Sequence, residues 1–124
     1  MSDAAARREA RRAYKESYRP MGVFQIRNLE SGRVYVASSP NLPAIFNRMR
    51  MTLNTNGHLK EPELQQDWNQ YGEDAFVFEV LEELEAPEAP GVDVRDDLQA
   101  MEQLWLEELR PWGERGYNRP PRGG

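Results

Sequence analysis

Gly22-Val-Phe-Gln-Ile-Arg-Asn28 and Arg33-Val-Tyr-Val-Ala37, joined by Leu29-Glu-Ser-Gly32, form the stretch from which the fold is read. Both runs are rich in β-branched and aromatic residues, and the joint carries glycine near its end, so the pattern predicts a β-hairpin. Alternation puts Val34 and Val36 on one face of the second strand and Arg33, Tyr35 and Ala37 on the other.

Downstream, Asn41 precedes Leu42-Pro43, a cap followed by proline in the first helical turn. Leu42, Ile45, Phe46, Met49 and Leu53 then recur at helical spacing until Asn-Thr-Asn-Gly at 54–57 ends the helix, with Arg48 and Arg50 on opposite borders of the stripe. Glu61-Pro62 opens a further predicted helix over 63–70, closed by Tyr71-Gly72. Phe76-Val-Phe-Glu-Val-Leu81 reads as a third strand, and its apolar residues on both faces predict a central place in the sheet. Residues 82–94 are an acidic, proline-bearing loop, predicted to be the most mobile stretch, and 96–109 form a last helix. Upstream, Ser2-Asp3 caps a predicted helix over 4–18 with a small face of Ala6, Ala10, Ala13 and Tyr14, stopped by Pro20. Its Arg7, Arg8, Arg11, Arg12, Lys15 and Arg19 either grip phosphates or keep a surface arm solvated.

The order α-β-β-α-α-β-α predicts an α+β fold, a small three-stranded antiparallel or mixed sheet packed against helices. Residues 1–20 are read as a basic helix or arm, 21–118 as one domain and 119–124 as a flexible tail. A length of 124 residues suits one domain with a modest core. The absence of cysteine excludes disulfides and thiolate-held zinc or iron–sulfur centres, and a lone histidine, His58, excludes a multi-histidine site. Met1 to Pro20 carries no apolar run, so it reads as neither a secretory signal nor a membrane span, and a cytoplasmic protein is the expectation.

The net charge of −5 conceals an asymmetry. Residues 1–60 hold 11 Lys/Arg and 4 Asp/Glu, a formal +7; residues 61–124 hold 5 and 17, a formal −12. The basic half, with Arg27, Arg33 and Arg50, is a candidate nucleic-acid face, unless the opposite charges simply meet within the fold. One carboxylate stands apart. On a helical wheel of about 100° per residue, Leu98, Met101, Trp105 and Leu109 form the apolar stripe of the last helix. Glu102 falls inside that stripe, about 40° from Leu98 and about 20° from Leu109. A carboxylate there either meets a cation (arginine, lysine or metal) or escapes to solvent at the rim.

These pieces, in this order, resemble the GIY-YIG nuclease family, as a divergent bacterial member. Gly22-Val23-Phe24 stands where the family has Gly-Ile-Tyr, and Tyr35-Val36-Ala37 where it has Tyr-Ile-Gly. Ser38-Ser39 and Asn41-Leu42 follow as in many members. Leu64-Gln65, Trp68, Tyr71-Gly72 and Phe76-Val77-Phe78-Glu79 look like the stretch found in bacterial members. Glu102-Gln103-Leu104-Trp105 and the closing Tyr117-Asn118 complete the similarity, which runs from Gly22 to Asn118.

The resemblance implies a metal-dependent DNA endonuclease without an organic cofactor. Glu102 would hold Mg2+ or Mn2+, Tyr35 would take a proton from the attacking water, and Asn118 and His58 would complete the site. A phenol is a poor base at neutral pH, so Tyr35 would need help from its surroundings. Three departures stand out. Phe24 lacks the hydroxyl of the first motif tyrosine, and Ala37 replaces a glycine. The family's helix arginine, which stabilises phosphate charge, falls at Ile45; Arg48, one turn on and about 60° round the wheel, is the substitute. Two other classes therefore stay open: a catalytically degenerate domain kept for nucleic-acid or protein interaction, and an acidic interaction domain with no nucleic-acid role.

Overall fold

The computed structural model describes residues 3–8, 19–89 and 91–121. Three strands, β1 (Gly22–Asn28), β2 (Val34–Ser39) and β3 (Phe76–Glu83), form one sheet in the order β2-β1-β3. Both pairs are antiparallel. Three helices accompany them: α1 (Leu42–Asn54), α2 (Pro62–Tyr71) and α3 (Arg95–Leu109). Short 3-10 turns occupy Glu73–Ala75 and Gly113–Arg115. The α+β architecture read from the sequence is the one observed. Among the described residues no helix is long and apolar enough to cross a membrane.

The place of the third strand differs from expectation. The central strand is β1, whose Val23, Phe24 and Ile26 are at most 1% exposed, whereas β3 is an edge strand with Val80 45% exposed. Apolar residues on both faces of β3 reflect cover above and below its first half, not a neighbour on each side. Strand limits also shift. β2 continues to Ser39 and β3 to Glu83 because Gly22 and Val23 pair with both. Residues 3–8 are helical and exposed. The rest of the helix predicted over 4–18, with Ala10, Ala13, Tyr14, Arg11, Arg12 and Lys15, lies outside the described residues, as do Ser2 of its cap and the tail end 122–124.

One sheet face carries Phe24, Ile26, Tyr35, Ala37, Phe76 and Phe78, and α1 and α2 pack there through Leu42, Met49, Leu53, Leu64 and Trp68. Asn41 caps α1, its side chain accepting from the Ala44 N–H at 3.1 Å. The buried Gln65 ties α2 to α1 by donating to the Leu53 carbonyl at 2.9 Å. On the opposite face α3 lies against β1 and β2, with Leu98 buried.

Asn28, 0% exposed, closes the hairpin by accepting from Glu30 N–H, and donates to the Tyr117 hydroxyl at 3.1 Å. That bond links the hairpin to the segment after α3. There the chain turns at left-handed Arg110 (φ 46°) and runs back to β2. Gly116 makes a single parallel bridge with Val34, and the Tyr117 N–H donates to the Val34 carbonyl at 2.9 Å. A Cβ on Gly116 would lie 2.3 Å from the Pro111 carbonyl oxygen and 2.4 Å from that of Val34. Both obstacles are backbone. Gly116→Ala is expected to destabilise the protein by about 1–3 kcal/mol, the usual range for overpacking, seen as a lower urea midpoint. An unchanged midpoint contradicts this docking.

Candidate active site

A cleft of about 390 Å³ lies over the outer edge of β2, lined by Tyr35, Val36, Ala37, Lys60, Glu61, Glu102, Asn118 and Arg119. Its position follows from strand alternation. Tyr35 points to the face covered by α1 and α2, while Val36 and Ser38 point to the face covered by α3. The edge is where groups from both faces meet.

Glu102 comes from α3 and is partly buried, its Oε1 accepting from the Ser38 hydroxyl at 2.8 Å. A neutral donor, not an arginine, steadies this carboxylate. Asn118 comes from the segment behind Gly116. Its Oδ1 accepts from the Val36 N–H at 2.9 Å and its Nδ2 donates to the Val36 carbonyl at 2.8 Å. The amide thus acts as a short stand-in for a further strand and fixes the backbone between Tyr35 and Ala37.

Tyr35 lines the cleft beside Glu61, which precedes α2, and the carboxylate acts on its phenol. The other side of Glu61 meets His58 Nε2 at 3.0 Å, and the two side chains are 10% (His58) and 12% (Glu61) exposed. The His58 N–H donates to Gln65, and its ring stands edge-on to Tyr35 with centroids 6.2 Å apart. Burial, then the Glu61 carboxylate, then the charge of Glu102, push the Tyr35 phenol well above its ordinary 10.0. Burial also works to raise the Glu61 carboxyl, but the hydrogen bond and charge of His58, the Tyr35 hydroxyl and the charge of Lys60 outweigh it and hold it below 4.5.

The structure brings together Tyr35, Glu102 and Asn118, with His58 behind Glu61. Arg48 is exposed on α1 and does not line the cleft. The three arginines read as a nucleic-acid face each meet carboxylates of the fold. Arg27 pairs with Glu79 at 2.7 Å, and Arg50 with Glu73 at 3.2 Å while lying over Phe78. Arg33 pairs with Glu63 and Asp67, donates to the Gly116 carbonyl and covers the Tyr117 ring. Phe24, 1% exposed, sits in the core edge-on to Tyr35 and Phe46, where a hydroxyl would lack water. Sequence reasoning missed Lys60, Glu61, Arg119 and the role of Ser38. Glu61 was read only as a helix opening and Arg119 as tail; the one available signal was their closeness to His58 and Asn118 in the chain.

Fold and cleft define the class: the chain has the fold of a GIY-YIG endonuclease catalytic domain. The catalytic domain of homing endonuclease I-TevI matches it with a TM-score of 0.67 over 82% of this chain and 99% of that one, at 27% identity. An alanine-for-glutamate variant of the I-TevI intron endonuclease catalytic domain matches with the same TM-score over 85% and 99%, at 25% identity. No family model matches the sequence, and no curated protein does.

The Glu61 cluster has a pH signature. A carboxyl held below its unfolded value contributes stability that is complete above that value and is lost as pH falls through the folded one. Urea unfolding of the wild type is therefore expected to show a loss of stability below about pH 4.5 that is shallower in Glu61→Gln. Parallel curves contradict the assignment.

Proposed function

We propose that this chain is a divalent-metal-dependent endonuclease that hydrolyses phosphodiester bonds of DNA. One observation carries the reading: a phenol and a carboxylate from opposite faces of the sheet line one cleft, in a fold shared with a homing endonuclease catalytic domain. Among the described residues no three ligating side chains cluster, so a closed protein cage is not the architecture here. Hard oxygen donors, Glu102 foremost, beside a cleft with room for waters, fit Mg2+ or Mn2+, which keep much of their shell as water and substrate phosphate. Glu102 would hold such an ion, which would supply charge neutralisation at the phosphoryl group.

The chain's own groups account for the proton. Two carboxylates and burial disfavour a phenolate at Tyr35, so a free phenolate base is the wrong picture. Its hydroxyl instead hands its proton to Glu61 as it accepts one from the attacking water. The water oxygen bonds to phosphorus, the leaving oxygen keeps the bonding pair, and solvent protonates it. His58 steadies the far side of Glu61, Ser38 orients Glu102, and Asn118 fixes the strand that carries Tyr35. Such a proton relay is worth roughly 10²–10⁴ in rate.

The second reading, a catalytically degenerate domain for nucleic-acid or protein interaction, is favoured by Ile45, which is packed against the core where the family has arginine. It expects DNA binding indifferent to chelator and no cleavage. Plasmid nicking in Mg2+ or Mn2+ separates the two. Wild type is expected to nick, to stop when the metal is chelated, and to lose about 10²-fold or more in rate as Glu102→Gln or Tyr35→Phe. Equal nicking by wild type and Glu102→Gln removes the catalytic reading.

A further inference from the structure

We propose that Lys60 and Arg119 are the phosphate-binding cations of this cleft, taking the place of an arginine on the helix that follows the hairpin. The inference rests on the nucleic-acid reading above and deepens it. The cleft as lined holds two carboxylates, Glu61 and Glu102, both of which repel a phosphodiester. A strand can enter only against compensating positive charge. None comes from α1. Ile45 packs against the core, Arg48 lies outside the lining, and Arg50 is bound to Glu73 and Phe78.

The cations that do line the cleft are Lys60 and Arg119. Both are exposed, and neither forms an ion pair with another described residue, unlike Arg27, Arg33, Arg50 and Arg95. They come from segments 59 residues apart that the fold ties together, since Arg119 Nη2 donates to the Lys60 carbonyl at 3.3 Å. That bond uses one donor and leaves the rest of the guanidinium fork, whose geometry suits phosphate oxygens. Their backbones are held by neighbours with fixed partners: Asn118 on Val36 for Arg119, and Glu61 on His58 for Lys60. Placement next to Tyr35 and Glu102 puts both cations where the scissile phosphate must sit.

The test is fluorescence anisotropy of a labelled DNA duplex without added metal, titrated with salt, on the full chain. Arg119→Gln and Lys60→Gln are each expected to weaken binding severalfold and to reduce the log–log salt slope by about 0.9, the counterion release that accompanies neutralisation of one phosphate. Arg119→Lys keeps the slope but loses part of the affinity, an effect that a merely structural role would not produce. Arg95→Gln, whose partner is Asp93, leaves the slope unchanged. Unchanged binding in both Lys60→Gln and Arg119→Gln overturns the inference. So does a loss confined to Arg48→Gln, or a wild type without salt-dependent binding. Nicking assays on the same proteins keep the two claims apart: binding through this pair without cleavage contradicts the endonuclease reading alone.

Discussion

The clamp of one side-chain amide on the backbone of one residue organises this molecule. Asn118 takes up both the N–H and the carbonyl of Val36 at the edge of β2, where another strand would otherwise pair. An unpaired edge is costly to bury and open to unwanted pairing. The chain resolves this with three residues instead of a strand: Gly116 bridging Val34, Tyr117 donating to the Val34 carbonyl, and Asn118. Because the segment is so short, the space beyond it remains open. The cleft exists because the edge is satisfied without being covered.

The same segment draws on the rest of the fold. Arg33 lies across the Tyr117 ring and reaches the Gly116 carbonyl, while Asp67 of α2 accepts from the Tyr117 hydroxyl at 2.7 Å. Burial and the Asp67 contact push the Tyr117 phenol up to about 12, against the opposing pull of Asn28 and Arg33. Tyr117 is thus a structural phenol, wedged between hairpin and helix. Tyr35 faces the cleft and meets a carboxylate whose other side is anchored. Two tyrosines in similar company differ in that Tyr35 lines open space.

Much of this was legible in the sequence. Alternation in Val34 to Ala37 assigned the faces of β2, and helical spacing placed Glu102 inside the apolar stripe of α3, where it is partly buried. Those patterns are local, and local patterns survive folding. What failed was non-local. The two-faced apolarity of β3 says that both faces are covered, yet carries nothing about which strands lie beside it. The cleft's cations escaped for the same reason. Arg48 sits one helical turn beyond Ile45 on the helix after the hairpin, close to Tyr35 along the chain, whereas Arg119 reaches the site only because the chain doubles back after α3. Likewise Arg27, Arg33 and Arg50 read as a basic face until their acidic partners, all from residues 61–124, are folded onto them.

The central claim is that Glu102, partly buried and hydrogen-bonded to the Ser38 hydroxyl, is held to receive a cation from the cleft. Anomalous diffraction from a crystal soaked in Mn2+ tests that claim most directly. The expected result is an anomalous peak in the cleft beside the Glu102 carboxylate, lost in Glu102→Gln. A cleft without a peak, with Glu102 turned onto Arg119, would contradict it.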